Sequence, residues 1–238
     1  MTDNARRAWP KAILFDLDDT LWPLAPVLQR AEQITHDWLT LHAPRVAQQF
    51  SIDALRQQRM ALAARQPEFL LDLAGLRRTC LHGAFEQAGE DSALVEQAMD
   101  LYLVARNAVT PFEDVLPALA QLKQRALLGS ISNGNADLQA IGLAHHFSVS
   151  LAAQQAGCVK PAPAIFHAAC RELGVAPADA LYVGDDVLLD VRGAQQAGLR
   201  AVWLNRTGSS KHLEHQVEPD AICADLGELL SWLARHHA

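Results

Sequence analysis

Short apolar runs without alternation, each closed by polar or glycine residues, constrain the fold of this chain more than any other feature. They fall at Lys11 to Asp16, Ala126 to Ser132, Ala180 to Asp185 and Leu199 to Asn205, with a weaker one at Asp220 to Ala224. A strand with one wet face alternates apolar and polar residues; a strand buried on both faces of a parallel sheet does not. Between these runs lie helical stretches at Val115 to Arg125, Pro161 to Leu173 and Asp190 to Ala197. Strand alternating with helix predicts βαβ units, hence an α/β fold on a doubly wound parallel sheet.

One segment departs from this rhythm. From Ala25 to Val109 apolar residues recur at helical spacing through VLQRAEQITHDWLTL, SIDALRQQRMALAA, LLDLAGLRRTCLHGAF and SALVEQAMDLYLVARNAV, with breaks near Pro44, Pro67 and Gly89. An insert of that length forms a small helical bundle of its own. The predicted organisation is therefore a core from 1–22 and 111–238 interrupted by an all-helical domain at 23–110. The joining segments, Leu21 to Pro26 and Val109 to Pro111, are its candidate hinges. Its arginines Arg56, Arg59, Arg65, Arg77 and Arg78 read most simply as solvated helix faces.

A chain of 238 residues, half of them apolar, has room for such a core, and a net charge of −7 argues against a broad nucleic-acid surface. No apolar run approaches the ~20 residues of a membrane span. The start MTDNARRAWPK lacks the apolar stretch of an export signal. Cys80, Cys158, Cys170 and Cys223 are widely spaced, which favours reduced thiols. These features predict a soluble, cytoplasmic protein with no nucleic-acid or membrane partner. The pairs His145 with His146, and His212 with His215, lack a ligand cluster around them and read as surface histidines.

Chemistry gathers where the apolar runs end. FDLDDTLW places Asp16, Asp18 and Asp19 after the first run. LLGSISNGN closes the second with Ser132 and Asn133 at a turn before Gly134, where a following helix would offer N–H groups to an anion. CVKPAPAIF offers Lys160 before Pro161, a proline suited to the first turn of a helix, and YVGDDVLLDVRGA supplies Asp185, Asp186 and Asp190. The carboxyl ends of parallel strands converge on one crevice. Carboxylates crowded there repel one another unless a hard divalent cation such as Mg²⁺, with a phosphoryl group, is expected. Asp19 and Thr20 read as turn chemistry, Thr20 bonding to the Asp16 loop. Asp186 is either a helix N-terminal carboxylate or a ligand.

The D-x-D-x-T of Asp16 to Thr20, Ser132, Lys160 before proline, and G-D-(x)4-D from Gly184 to Asp190 resemble, in order, the four motifs of the haloacid dehalogenase-like (HAD) hydrolase superfamily. The helical insert resembles the cap of that superfamily's first cap class. The resemblance implies a Rossmann-like HAD core with an inserted all-helical cap, acting on a small phosphorylated metabolite; for assembly the expectation is a monomer or homodimer. It implies that Asp16 is the nucleophile, becoming an aspartyl phosphate, and that Asp18 is the general acid and then the base. Mg²⁺ would be held by Asp16, the Asp18 carbonyl and Asp185. Ser132, the Asn133 N–H and Lys160 would hold phosphate oxygens, while Asp190 would steer Lys160 or a water on the metal.

Within that superfamily, the acid at Asp18 favours phosphate-ester hydrolysis over dehalogenation. The absence of lysine between Ala25 and Val109 argues against phosphonate cleavage. A phosphomutase keeps the same acid. A phosphoacceptor module of the receiver type gathers similar residues in a different order, and a non-catalytic binding protein would not keep the whole set. FDLDDTLWPLAPVLQRAE, ISNGN and VGDDVLLDVRGA are similar to bacterial phosphatases acting on flavin mononucleotide and the phosphoribityl-aminouracil intermediate of riboflavin biosynthesis. That likeness implies one of these esters as substrate, with Trp22 and a cap arginine near its ring system.

Overall fold

The computed structural model describes residues 8–237. Residues 1–7, part of the stretch read above as lacking an export signal, lie outside them. Six parallel strands form one sheet: β1 (Ala12–Phe15), β2 (Leu127–Ser132), β3 (Val149–Ala152), β4 (Ala180–Gly184), β5 (Arg200–Leu204) and β6 (Ala221–Cys223), in the order β3-β2-β1-β4-β5-β6. This is a doubly wound α/β sheet. The order in which strands are added reverses beside β1, whose neighbours are β2 and β4. Every residue of β1 and β4 is buried, as their unalternating apolar sequence requires.

Strand β3 has no counterpart among the predicted runs. It lies at the sheet edge with only Leu151 buried, so the sequence there alternates and carries Ser150, whose hydroxyl meets that of Ser130 on β2 at 2.9 Å. The helix Leu226–His236 was also not anticipated; Asp225 caps it by accepting the Glu228 N–H at 2.8 Å. The helix predicted from Pro161 begins instead at Pro163, leaving Pro161 in the preceding loop. The stretch predicted as a helix from Asp190 begins earlier, with a wide turn over Val187–Arg192 that includes an i→i+5 bond from Val191 N–H to Asp186 O, and then continues as Gly193–Gln196. Asp186 caps that turn, accepting the N–H groups of Leu188 and Leu189, both at 2.8 Å.

The chain forms two compact units. One comprises Met1–Pro23, Thr110–Asn133 and Gly142–Ala238; the other comprises Leu24–Val109 with Gly134–Ile141. In the sheet unit the helix Pro163–Leu173 packs on β2 and β3, with Phe166 edge-on to Tyr182 of β4 at 5.1 Å and Trp203 in the same core. Each such fully buried apolar side chain contributes about 1.5–3 kcal/mol. Arg206 holds the first loop of this unit: its guanidinium makes paired bonds to Asp114 at 3.1 and 2.9 Å and one to Thr20 O at 3.0 Å. Burial works against the ionised form of Asp114, yet Arg206 and the Leu226 N–H hold its carboxyl below the ordinary range.

The helical unit contains the helices Leu24–His42, Pro44–Gln49, Ile52–Arg65, Leu73–Ala88 and Val95–Asn107, closed over Leu39, Val46, Leu81, Phe85, Val95 and Met99. Ser51 and Asp72 cap two of them, and Gly89 ends one in a left-handed turn at φ 64°. Gly134–Ile141, assigned from sequence to the segment 111–238, belongs with these helices, and the Asp137 N–H donates to Asn107 Oδ1 at 2.9 Å. Among the described residues, no helix is long and apolar enough to cross a membrane.

Candidate active site

The site lies in the sheet unit, beyond the carboxyl ends of the strands where their order reverses, the place at which such sheets bind ligands. The register pairs Phe15 of β1 with Ser130 of β2 and Val183 of β4. Asp16 therefore emerges between two neighbours one residue past the strand, and its N–H still donates to Val183 O at 2.9 Å. Lys160 reaches the same point from the loop before helix Pro163–Leu173. Its ammonium lies 2.5 Å from Asp16 Oδ1, 2.6 Å from Asp190 Oδ1 and 3.1 Å from the Tyr182 hydroxyl. Thr20 joins the other carboxylates, donating to Asp16 Oδ2 at 3.2 Å and Asp185 Oδ1 at 3.1 Å.

Asp16, Lys160 and Asp190 are nearly inaccessible to solvent, and this sets their charge states. Burial, reinforced by Asp190 and Asp185, pushes the Asp16 carboxyl well above the ordinary range although Lys160 opposes the rise. For Lys160 burial acts against the cation, but Asp16 and Asp190 outweigh it and hold the ammonium firmly protonated. Burial, with Asp190 adding to it, raises Asp185 to about 7. Oxygens of Asp16, Asp185 and Asp190 lie within 4.8 Å of one another.

That donor set fits a hard divalent cation: oxygen ligands only, close together, and disfavoured as charges without one. Asp190 is the least available of the three, because Lys160 and Tyr182 occupy Oδ1 and the Asp186 N–H donates to Oδ2 at 3.0 Å. Gly184 lies against this carboxylate so closely that an added Cβ would fall 2.4 Å from it. The Asp185 carbonyl is fixed by the Trp203 indole N–H at 2.7 Å.

The remaining expected residues are placed less uniformly. Asp18 stands apart from the carboxylate cluster, partly exposed, with the Trp22 indole N–H donating to its Oδ1 at 2.9 Å. Ser132 is buried at the end of β2. Asn133 braces the lysine loop: its side chain accepts the Lys160 N–H at 2.7 Å and donates to Lys160 O at 3.1 Å. No helix starts at this turn. The next one, Leu138–Ile141, is four residues long and capped by Asp137, so helix-terminal stabilisation of an anion at Ser132 is withdrawn. Asp19, at φ 60°, and Thr20 form the turn that returns the chain to Trp22, and the Asp19 N–H donates to Trp22 O.

Trp22 is fully buried, so its expected place beside a substrate ring is corrected: it supports Asp18 instead. Tyr182 went unrecognised in the sequence. Its hydroxyl lies 3.1 Å from Asp190 Oδ1 and 3.2 Å from Ile131 O, linking the end of β2 to Lys160 and Asp190. The available signal was a phenol inside an otherwise apolar strand, since a buried tyrosine hydroxyl needs a partner.

Residues 10–198 match the haloacid dehalogenase-like hydrolase family. Over 197 residues the chain is 32% identical to the 5-amino-6-(5-phospho-D-ribitylamino)uracil phosphatase YigB of Escherichia coli, covering 81% of this chain and 82% of that protein. It is 30% identical over 219 residues to the glyceraldehyde 3-phosphate phosphatase of Methanopyrus kandleri, covering 88% and 90%. Among solved structures, the 2-haloacid dehalogenase from Pseudomonas syringae pv. Tomato superposes with a TM-score of 0.87 at 39% identity, covering 95% of this chain and 99% of that one.

Proposed function

This chain belongs to the haloacid dehalogenase-like hydrolase family, and from that premise we propose that it hydrolyses phosphomonoesters of small metabolites through an aspartyl phosphate on Asp16. The observation that carries this reading is the buried Asp16 carboxylate between Lys160 and Thr20, with Asp18 a short turn away. In the proposed reaction an Asp16 oxygen attacks phosphorus as the ester P–O bond breaks, and Asp18 gives its proton to the departing alkoxide. Water then attacks phosphorus, Asp18 takes its proton, and the cleaved acyl phosphate returns Asp16 as carboxylate with inorganic phosphate released. Lys160, Ser132 and the Asn133 N–H hold phosphate oxygens, and Asp190 and Tyr182 hold Lys160.

Asp16, Asp185 and the Asp18 carbonyl would hold Mg²⁺, which supplies positive charge against the phosphoryl oxygens. The unit of Met1–Pro23, Thr110–Asn133 and Gly142–Ala238 serves as catalytic core and that of Leu24–Val109 with Gly134–Ile141 as cap. The likeness to YigB supports the phosphoribityl-aminouracil, or flavin mononucleotide, as candidate substrates.

The Pseudomonas likeness favours a second reading, displacement of halide from a 2-haloacid by Asp16. Halide leaves without a proton, so Asp18 and the indole bond that orients it have no part in that reaction. Assay of the intact protein against phosphate esters and 2-chloropropionate, with Mg²⁺ or with chelator, separates the two. Metal-dependent phosphate release supports the phosphatase; chloride release alone replaces it with the dehalogenase.

A further inference from the structure

We propose that Arg59 and Arg77 of the helical unit form an anion-binding pair for a carboxylate or a second phosphate group. The pair was expected among solvated helix faces, as Arg65 and Arg78 are, yet its side chains keep only 13% and 12% of their surface exposed. Both lean on one carboxylate, Glu32, itself 7% exposed: Arg59 bonds Oε1, Arg77 reaches the same oxygen at 3.5 Å, and Arg56 takes Oε2 at 2.6 Å. Three guanidiniums thus share one buried acid. Asp53 offsets only Arg56, from an exposed position.

Each guanidinium carries five N–H donors. Among the described residues, Arg59 and Arg77 have no protein acceptor besides Glu32. The Arg77 plane is fixed over the Tyr102 ring, 3.5 Å from its centroid. Burial and the charge of Arg77 lower the pKa of Arg59, consistent with a local excess of cation. One arginine would satisfy Glu32. A second nearly buried one raises the desolvation cost and adds repulsion, which an incoming anion relieves. The neighbouring crevice of about 450 Å³ is lined by Glu32 and Asp53 beside Arg56 and by neither Arg59 nor Arg77, so it is not the seat of the anion. Forked donors on two adjacent guanidiniums match the paired oxygens of a carboxylate or phosphate.

The anion has two sources, a group on the enzyme's own substrate or a separate metabolite. The experiment uses the full chain, and only its kinetic arm rests on the phosphatase reading. Isothermal titration with succinate in the absence of metal should show binding that weakens at least about tenfold in Arg77→Gln, the loss of one charge-assisted bond. Arg77 is chosen because its 3.5 Å bond to Glu32 is the least structural of the three. The second arm compares kcat/KM for phosphoglycolate and glycerol phosphate. A ratio favouring phosphoglycolate that falls about tenfold in Arg77→Gln identifies the substrate as the source. Lost succinate binding with an unchanged ratio identifies a separate anion. Failure of the wild type to bind succinate overturns the proposal, whether or not the variant folds, as does equal binding by both proteins. A wild type inactive on every ester while binding succinate leaves the pair standing and removes only the phosphatase reading.

Discussion

Lys160 Nζ stands 2.5 Å from Asp16 Oδ1, joining residues 144 positions apart in the chain. The same ammonium meets Asp190 at 2.6 Å, so one buried cation separates two buried carboxylates. Lys160→Met should therefore cost stability as well as phosphate binding. Removing one partner of a buried ion pair costs about 3–5 kcal/mol, and chemical denaturation of the metal-free protein should show a loss of that order. An unchanged midpoint would mean that the lysine is not the counter-charge described.

The Trp22–Asp18 bond predicts a dependence on the leaving group. Asp18→Asn should lower turnover of alkyl phosphates by ~10²–10⁴ and of p-nitrophenyl phosphate by much less, since p-nitrophenolate departs without a proton. Trp22→Phe keeps a ring in the core but removes the indole donor, so it should show the same asymmetry in weaker form. Equal losses on both classes of ester would assign Trp22 to packing alone.

Gly184→Ala probes the fit of Asp190. The added Cβ would lie 2.4 Å from the Asp190 carboxylate, which must then move and disturb its 2.6 Å bond to Lys160. We expect overpacking to cost about 1–3 kcal/mol, with a fall in kcat/KM. Retention of full activity and stability would show that the Lys160 to Asp190 contact is dispensable.

Metal affinity should depend on pH through Asp185, raised to about 7 by burial and by Asp190. A carboxyl with a raised folded-state value stabilises the metal-free protein below its ordinary range, near 3.8, and that contribution is lost as pH rises through about 7. A cation requires the ionised form, so Mg²⁺ affinity moves oppositely, tightening by up to about tenfold per pH unit below the same value for each proton released. Titration at about pH 6 and about pH 8, beside activity assays with EDTA and with Mg²⁺ restored, measures this. Equal affinity at both, or full activity under chelation, would contradict it.

The sheet was legible because β1, β2, β4 and β5 are buried and their sequences do not alternate. Strand β3 was not, since an edge strand with three of its four residues partly or fully exposed carries no such run. Asp16 and Asp185 declared themselves by position at the ends of runs, Lys160 by the proline after it and Asp190 by its spacing from Gly184, and the structure brings them together. Tyr182, buried among apolar neighbours, gave only its hydroxyl as a sign, and the burial of Arg59 and Arg77 depends on Glu32, 27 and 45 residues away. Pairings of that range carry no periodic trace in the sequence.

A covalent bond between Asp16 and phosphorus is trapped by acid quenching of a rapid turnover and located by peptide mass analysis. One phosphoryl group is expected on the peptide containing Asp16, labile to hydroxylamine as an acyl phosphate is, and absent from Asp16→Asn. Phosphoryl carried on another residue, or an Asp16→Asn protein that still turns over phosphate esters, would contradict it.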